Sequence, residues 1–245
     1  NWKAGTSFTN DASATGIGDI DSSGSVNTTS GFSIITATSD GAADKNIAHG
    51  LGVVPDVILS KNLDTGYNWD CYFKTLGYNA SLQLNATDAV RTGAWGSTTF
   101  TSTIFQTGDD FSSKNGSPYI YYCFAEKQGY SKFGSYVGNG NADGTFIYTG
   151  FKPAFLIIKR AIGGTNQWNI HDNKRSLFNP ADERLYANLN NAENTGGNYG
   201  SDFLSNGFKI RTDDNGWNQS GDTYIYMVFA ENPFVTSSGV PATAR

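Results

Sequence analysis

Three residue types with complementary chemistry recur together along this chain: Lys61, Asn85 and Glu126 return as Lys159, Asn188 and Glu231. An amine, an amide and a carboxylate kept at repeated positions support two kinds of chemistry. A lysine stripped of water can lose its proton and attack an asparagine amide, with a glutamate as proton shuttle, closing an isopeptide crosslink. The ordinary alternative is a Lys-Glu pair at strand ends, with the Asn bonding a turn. A second set of candidates is aromatic. Trp95, Trp217 and Tyr199 lie among Gly and polar residues in Gly93-Ala94-Trp95-Gly96, Asn215-Gly216-Trp217-Asn218 and Gly197-Asn198-Tyr199-Gly200. In such a setting a flat ring can stack on a sugar face or a neighbouring subunit while nearby amides bond hydroxyls. Folding back over the ring's own domain is the alternative.

Metal and catalytic patterns are incomplete. In Asn139-Gly140-Asn141-Ala142-Asp143-Gly144, the side chains of Asn139, Asn141 and Asp143 stand at the alternate positions from which oxygens surround calcium. Position twelve of that loop is Gly150, where a bidentate Glu is required, so the motif reads as a turn. Asp213-Asp214-Asn215-Gly216 reads the same way. Two histidines, His49 and His171, and two cysteines, Cys71 and Cys123, do not compose a zinc site. No cofactor is expected. His171 beside Asp172 and near Arg175 is either a general base in a loop or part of a surface polar cluster. Neither histidine lies in a Gly-x-Ser-x-Gly or His-Glu-x-x-His context, and no Lys-Ser/Thr follows a phosphate-type glycine loop. Among 22 Asp and Glu residues no pair is singled out for glycoside hydrolysis. The chain is therefore expected to be no enzyme.

What positions these residues is a module written twice. Pro55 through Val57-Ile58-Leu59 to Lys61 returns as Pro153 through Phe155-Leu156-Ile157-Ile158 to Lys159, and Tyr119 to Glu126 returns as Tyr224 to Glu231. Between these anchors Trp69 matches Trp168, Leu82 matches Leu185 and Phe105 matches Phe208. Trp69 and Trp168, shared by both copies, read as core anchors. Cys71 and Cys123 correspond to Ile170 and Val228, so both thiols read as buried, with a disulfide between adjacent strands as the alternative.

The chain is 245 residues long, with 29 Gly, 14% aromatic and 16% charged residues. That composition favours strands and turns. The expected fold is all-β: two tandem β-sandwich, jelly-roll-like domains from an internal duplication, residues 31–130 and 131–234. Residues 1–30 and 235–245, poor in apolar side chains, are expected as extended arms that add strands to a neighbouring subunit. The Pro-led strands, continuously apolar, are expected to be buried on both faces. One short helix is expected at Pro180-Ala181-Asp182-Glu183-Arg184-Leu185, capped by Asn179. A net charge of −5 without a Lys/Arg cluster argues against nucleic acid, and no apolar stretch is long enough to insert in a membrane. A chain starting at Asn1, without an initiating Met or signal peptide, is expected to be processed or part of something longer.

Several phrases carry a resemblance. They are His49-Gly50-Leu51-Gly52-Val53-Val54-Pro55, Gly129-Tyr130-Ser131-Lys132-Phe133-Gly134-Ser135-Tyr136, Gly150-Phe151-Lys152-Pro153, Asn206-Gly207-Phe208-Lys209 and Tyr224-Ile225-Tyr226-Met227. Together they resemble the C-terminal module of long structural proteins of tailed bacteriophages, especially aquatic ones, and the stretch from Phe234 to Arg245 resembles the end of such proteins. The resemblance implies a virion appendage, a tail fibre, tail tip or head fibre, exposed on the particle surface and presenting a surface for host adsorption, with glycan as the ligand class. It implies a homo-oligomer, with a trimer favoured over a filament, touching other virion proteins. It transfers no catalytic residue. A purely structural filament or capsid-decoration subunit, and a polysaccharide depolymerase, are the alternatives.

Overall fold

The computed structural model describes residues 5–96, 100–109, 115–195, 197 and 200–231. They form two compact units, the first from residues up to 83 together with 90–126, the second from 84–89 and 127 onward. The first unit contains β1 (Thr6–Asn10), β2 (Ser22–Asn27), β3 (Phe32–Thr38), β4 (Asn46–Ala48), β5 (Val57–Asn62), β6 (Asp70–Phe73), β7 (Ala80–Gln83), β8 (Arg91–Thr92), β9 (Ile104–Gln106) and β10 (Pro118–Phe124). The second contains β11 (Ser131–Val137), β12 (Phe146–Tyr148), β13 (Pro153–Ile162), β14 (Trp168–Asp172), β15 (Leu185–Tyr186), β16 (Ser201–Leu204), β17 (Gly207–Ile210) and β18 (Thr223–Ala230). The protein is all-β, and each unit is a sandwich of two sheets.

In the first unit the large sheet runs β1-β2-β3-β10-β5-β6-β7-β8 opposite the β4-β9 pair, and in the second β11-β18-β13-β14-β15 lies opposite β12-β17-β16. Strand order and register coincide between β3-β10-β5-β6-β7 of the first unit and β11-β18-β13-β14-β15 of the second. Lys61 faces Ile120 as Lys159 faces Ile225, Ile58 faces Tyr72 as Leu156 faces His171, and Cys71 faces Leu82 as Ile170 faces Leu185. A shared register is demanding, because slipping one residue would turn every side chain to the opposite face. Each sandwich is filled by aromatics: Tyr72, Trp95, Phe100, Phe105 and Tyr121 in the first, Tyr136, Phe208, Trp217, Tyr224 and Tyr226 in the second. One face of each Pro-led strand is buried, with Ile58, Leu156 and Ile158 at 0% exposure, whereas Leu59, Phe155 and Ile157 on the other face are half-buried, short of the burial on both faces that their continuous hydrophobicity implies.

Residues 6–27 depart from the expected arm. They fold onto their own unit, β2 pairing antiparallel with β3 and β1 with β2, so the edge of β3 is covered within the chain. Serines and threonines dominate these strands, but Phe8, Ile20 and Val26 supply enough apolar surface to seal the end of the core. Gly50, at φ +71, permits the fit, since a Cβ there would stand 2.7 Å from Val26 and 2.8 Å from Phe8. Residues 84–89, expected in the first module, belong to the second unit, where Thr87 O accepts from Asn166 N at 3.0 Å. The expected helix at 180–185 does not form: Ala181 and Arg184 make isolated bridges to Ser201 and Asn194, and Leu185 opens β15. Asn179 caps no helix but bonds β16, accepting from Phe203 N at 2.9 Å and donating to Phe203 O at 3.2 Å. The stretch 235–245 lies outside the described residues.

Candidate ligand-binding site

The polar residues of the first unit converge where β5 leaves the apolar core. Side chains paired across neighbouring strands point to the same face, and register places Tyr119 opposite Asn62, Ser60 opposite Asp70, and Asp70 opposite Gln83. These residues, with Arg91, Asn68 and Tyr67, line a cavity of about 260 Å³. Its floor is buried, with Asn62 2%, Tyr119 5% and Ser60 8% exposed, whereas Tyr67 stands 43% exposed at its mouth. On one wall Arg91 Nη2 donates to Asp70 Oδ1 at 2.6 Å. When the Gln83 amide is oriented to satisfy its neighbours, its oxygen accepts from Arg91 Nε at 3.1 Å. Asn62 Oδ1 closes the following turn by accepting from Asp64 N at 2.9 Å and Thr65 N at 3.0 Å. Its Nδ2 has no acceptor among the described residues. An unpaired buried donor costs about 1–3 kcal/mol, which an incoming oxygen would recover once the side chains covering the atom shift.

The equivalent place in the second unit carries different side chains. Ser60 is replaced by Ile158, Asn62 by Arg160 and Asp70 by Asn169 in the same register. Arg160 is ion-paired with Asp222, and Asn188 Nδ2 donates to Gln167 Oε1 at 2.7 Å. The sequence signal for the open site was this divergence between copies: polar Ser60 where its counterpart stays apolar. A larger groove of about 1100 Å³ in the first unit carries Asp11, Asp19, Asp21 and Asp40. Each of these carboxylates already accepts a backbone N–H, from Ala14, Asn46, Ala12 and Ala42 respectively.

The repeated trio is not assembled. Lys61 Nζ donates to Asn62 O at 2.7 Å and Thr65 O at 2.8 Å, pinning the loop that carries Tyr67. Lys159 Nζ, fully buried, donates to Arg160 O at 2.6 Å and Thr87 O at 3.1 Å, and burial pulls its pKa down to about 8. Asn188 accepts from Trp168 N at 3.0 Å. Glu231 is exposed and pairs with Lys174, not with Lys159. Asn85 and Glu126 are exposed. Neither the crosslink nor the expected Lys-Glu pair is formed in the second unit. Extended strands separate residues at their two ends, and the nearest carbonyl satisfies each amine first.

Trp95 and Trp217 correct the aromatic reading, because both are core, 2% and 1% exposed. Trp95 packs edge-on against Tyr72, Phe100 and Phe105 at 6.0–6.4 Å, and Trp217 lies 4.6 Å from His171. Their glycine neighbours serve close approach: a Cβ on Gly96 would collide with Gln106, and one on Gly216 would stand 2.9 Å from Asn166 Oδ1 and Asp214 Oδ1. Tyr199 lies outside the described residues. Of the shared tryptophans, Trp168 is core at 1% exposed, whereas Trp69 is half-buried, its ring 6.1 Å from Tyr122. His171 is in strand β14 at 0% exposure, which removes it from any surface cluster. Cys71 and Cys123 are buried and form no disulfide; Cys71 faces Leu59 and Cys123 faces Ile58, so the thiols point to opposite sides of the sheet.

The calcium-like residues form turns around a buried asparagine. Asn139 Oδ1 accepts from Asn141 N at 3.0 Å and Asn141 Oδ1 from Asp143 N at 2.8 Å, while the Asp143 carboxylate pairs with Lys209 at 2.7 Å. Among the described residues no three His, Cys, Asp or Glu side chains converge for a metal. Asn218, at 0% exposure, holds the arrangement: its Nδ2 donates to Asn139 Oδ1, Asn141 O and Thr212 O at 2.7–3.0 Å, and its Oδ1 accepts from Asn139 N. Asn218→Ala is expected to cost about 2–4 kcal/mol, since several buried polar groups lose their partner at once. Urea denaturation checks this, and a loss under about 1 kcal/mol would show that the turns hold without it.

A protein-family model described as Domain of unknown function (DUF7483) matches residues 1–233. No curated protein and no solved structure matches the chain.

Proposed function

The chain belongs to the DUF7483 family, and from its own surfaces we propose that it is a non-catalytic adsorption module of a virion appendage that binds a host-surface saccharide. The observation that carries this is the cavity bounded by Ser60, Asn62, Tyr67 and Asp70, which combines a buried donor lacking an acceptor with an exposed aromatic face. Saccharides need both: hydrogen-bonding groups in fixed positions for their hydroxyls and a flat apolar surface for the ring's C–H face. The resemblance to tailed-phage structural modules supports the setting. Binding rather than hydrolysis is favoured because the charged residues lining the cavity, Asp70 and Arg91, are bonded to each other, and neither histidine lines it. Repetition of the chain in a homo-oligomer on the particle surface would multiply a weak contact into firm attachment.

The test is binding of the full chain to polysaccharide extracted from the surface of host bacteria, followed by biolayer interferometry. Tyr67→Ala is expected to weaken binding at least tenfold, equivalent to about 1.4 kcal/mol, without changing the unfolding midpoint. Undiminished binding by this variant would mean that the cavity is not the contact. An absence of binding by the unaltered chain would favour a structural filament subunit.

A further inference from the structure

We infer that the cavity takes a single uncharged pyranose ring, one per chain, in place of an acidic sugar or an internal stretch of polysaccharide; this rests on saccharide binding at the cavity. Size sets the first limit. About 260 Å³ equals the volume of roughly nine waters at about 30 Å³ each, enough for one ring and its hydroxyls but not for a run of them. Asn62, Tyr119 and Ser60 at the base are almost fully buried while Tyr67 and part of the Arg91 side chain reach solvent, which suits a ring entering end-on, as a terminal or branch residue does.

Charge sets the second limit. The cationic group of the cavity is Arg91, whose Nη2 is already bonded to Asp70 at 2.6 Å. An incoming carboxylate would have to displace Asp70 or stand beside it, and two like charges in a partly buried site repel. A hydroxyl has no such difficulty. It can donate to the Asp70 carboxylate and, once the side chains covering Asn62 Nδ2 shift, accept from that buried donor, so two adjacent hydroxyls are read by a donor and an acceptor lying on neighbouring strands. The third limit is valency. Ile158 and the Arg160–Asp222 pair occupy the positions in the second unit where Ser60 and Asn62 open the first.

The experiment titrates the full chain, by saturation-transfer NMR and calorimetry, with methyl glycosides of several neutral hexoses, with methyl glucuronide and with sialyllactose. At least one neutral glycoside is expected to bind with a dissociation constant on the order of 1 mM, as suits so small a ligand, at one site per chain, and the acidic ligands at least tenfold more weakly. Asn62→Asp removes the Nδ2 donor but keeps the oxygen that closes the turn, and is expected to lower neutral binding about tenfold. Tyr67→Ala, at an exposed position, gives the same readout should the first variant fail to fold. Acidic glycosides binding as tightly as neutral ones, binding that requires oligosaccharides, or two sites per chain would each overturn this inference while leaving saccharide binding intact. Failure of every glycoside together with the host polysaccharide would overturn both.

Discussion

Trp217→Ala is expected to destabilise the second unit by about 3–5 kcal/mol, the range for deleting a fully buried large aromatic. The residue is 1% exposed, its ring lies 4.6 Å from His171, and its carbonyl accepts from Tyr136 Oη at 2.8 Å. Alanine would leave a cavity lined by side chains of both sheets, which strand geometry prevents from collapsing. Chemical denaturation with a probe specific to the second unit measures the effect. A loss below about 1 kcal/mol would show that Trp217 lies outside the core in solution. In the first unit, Trp95 covers Tyr72, the register counterpart of His171. Trp95 precedes β9 whereas Trp217 follows β17, so an indole reaches the same place in the sandwich from different points in the chain.

Acid is expected to weaken the protein well before its carboxylates titrate. Burial holds His171 at about 3 and His49 at about 4, against an ordinary value of 6.5. Among the described residues neither ring nitrogen of His171 has a hydrogen bond of ordinary geometry; the Ala181 backbone and Asp172 favour protonation, but burial outweighs them and Arg184 and Arg175 add to the opposition. Because the folded pKa is depressed, the unfolded chain takes up a proton below about pH 6.5 while the folded chain refuses it. Stability is therefore complete above that pH and falls as pH drops toward 3, by about 1.4 kcal/mol per pH unit for each histidine. At pH 4.5 His171 alone should cost about 3 kcal/mol. His171→Tyr, which installs the residue type that the first unit carries as Tyr72, is expected to flatten the dependence between pH 6.5 and 4.5. Urea midpoints at the two pH values decide the matter, and an equally steep loss in the variant would exonerate this histidine.

The strand framework was legible because it rests on local pattern. Runs such as Val57-Ile58-Leu59 and Phe155-Leu156-Ile157-Ile158 suit strands in the middle of a sheet, with one face buried and the other half-buried, and their paired recurrence with Tyr119 to Glu126 and Tyr224 to Glu231 implied partners that the register now contains. The polar arm was misread for the same reason. Composition weighs average hydrophobicity, but three apolar side chains, Phe8, Ile20 and Val26, suffice when a strand needs only to cover an existing edge.

The candidate site was hidden for a different reason. Ser60, Asn62, Asp70, Gln83, Arg91 and Tyr119 are scattered over sixty positions of sequence and meet only because β10, β5, β6, β7 and β8 lie side by side. None belongs to a motif, and the repeated polar residues that do recur, Lys61 and Lys159, turn out to brace backbone carbonyls. Residue chemistry and hydrophobic period were thus enough for the all-β class, for the pairing of like strands and for the thiols as core groups, since each depends on neighbours along the chain or on composition. Whether a tryptophan flanked by glycine points outward or inward, and which polar side chains share a cavity, depended on long-range packing. There the burial of an indole outweighs the polarity of its loop, and the register between distant strands brings donors and acceptors together.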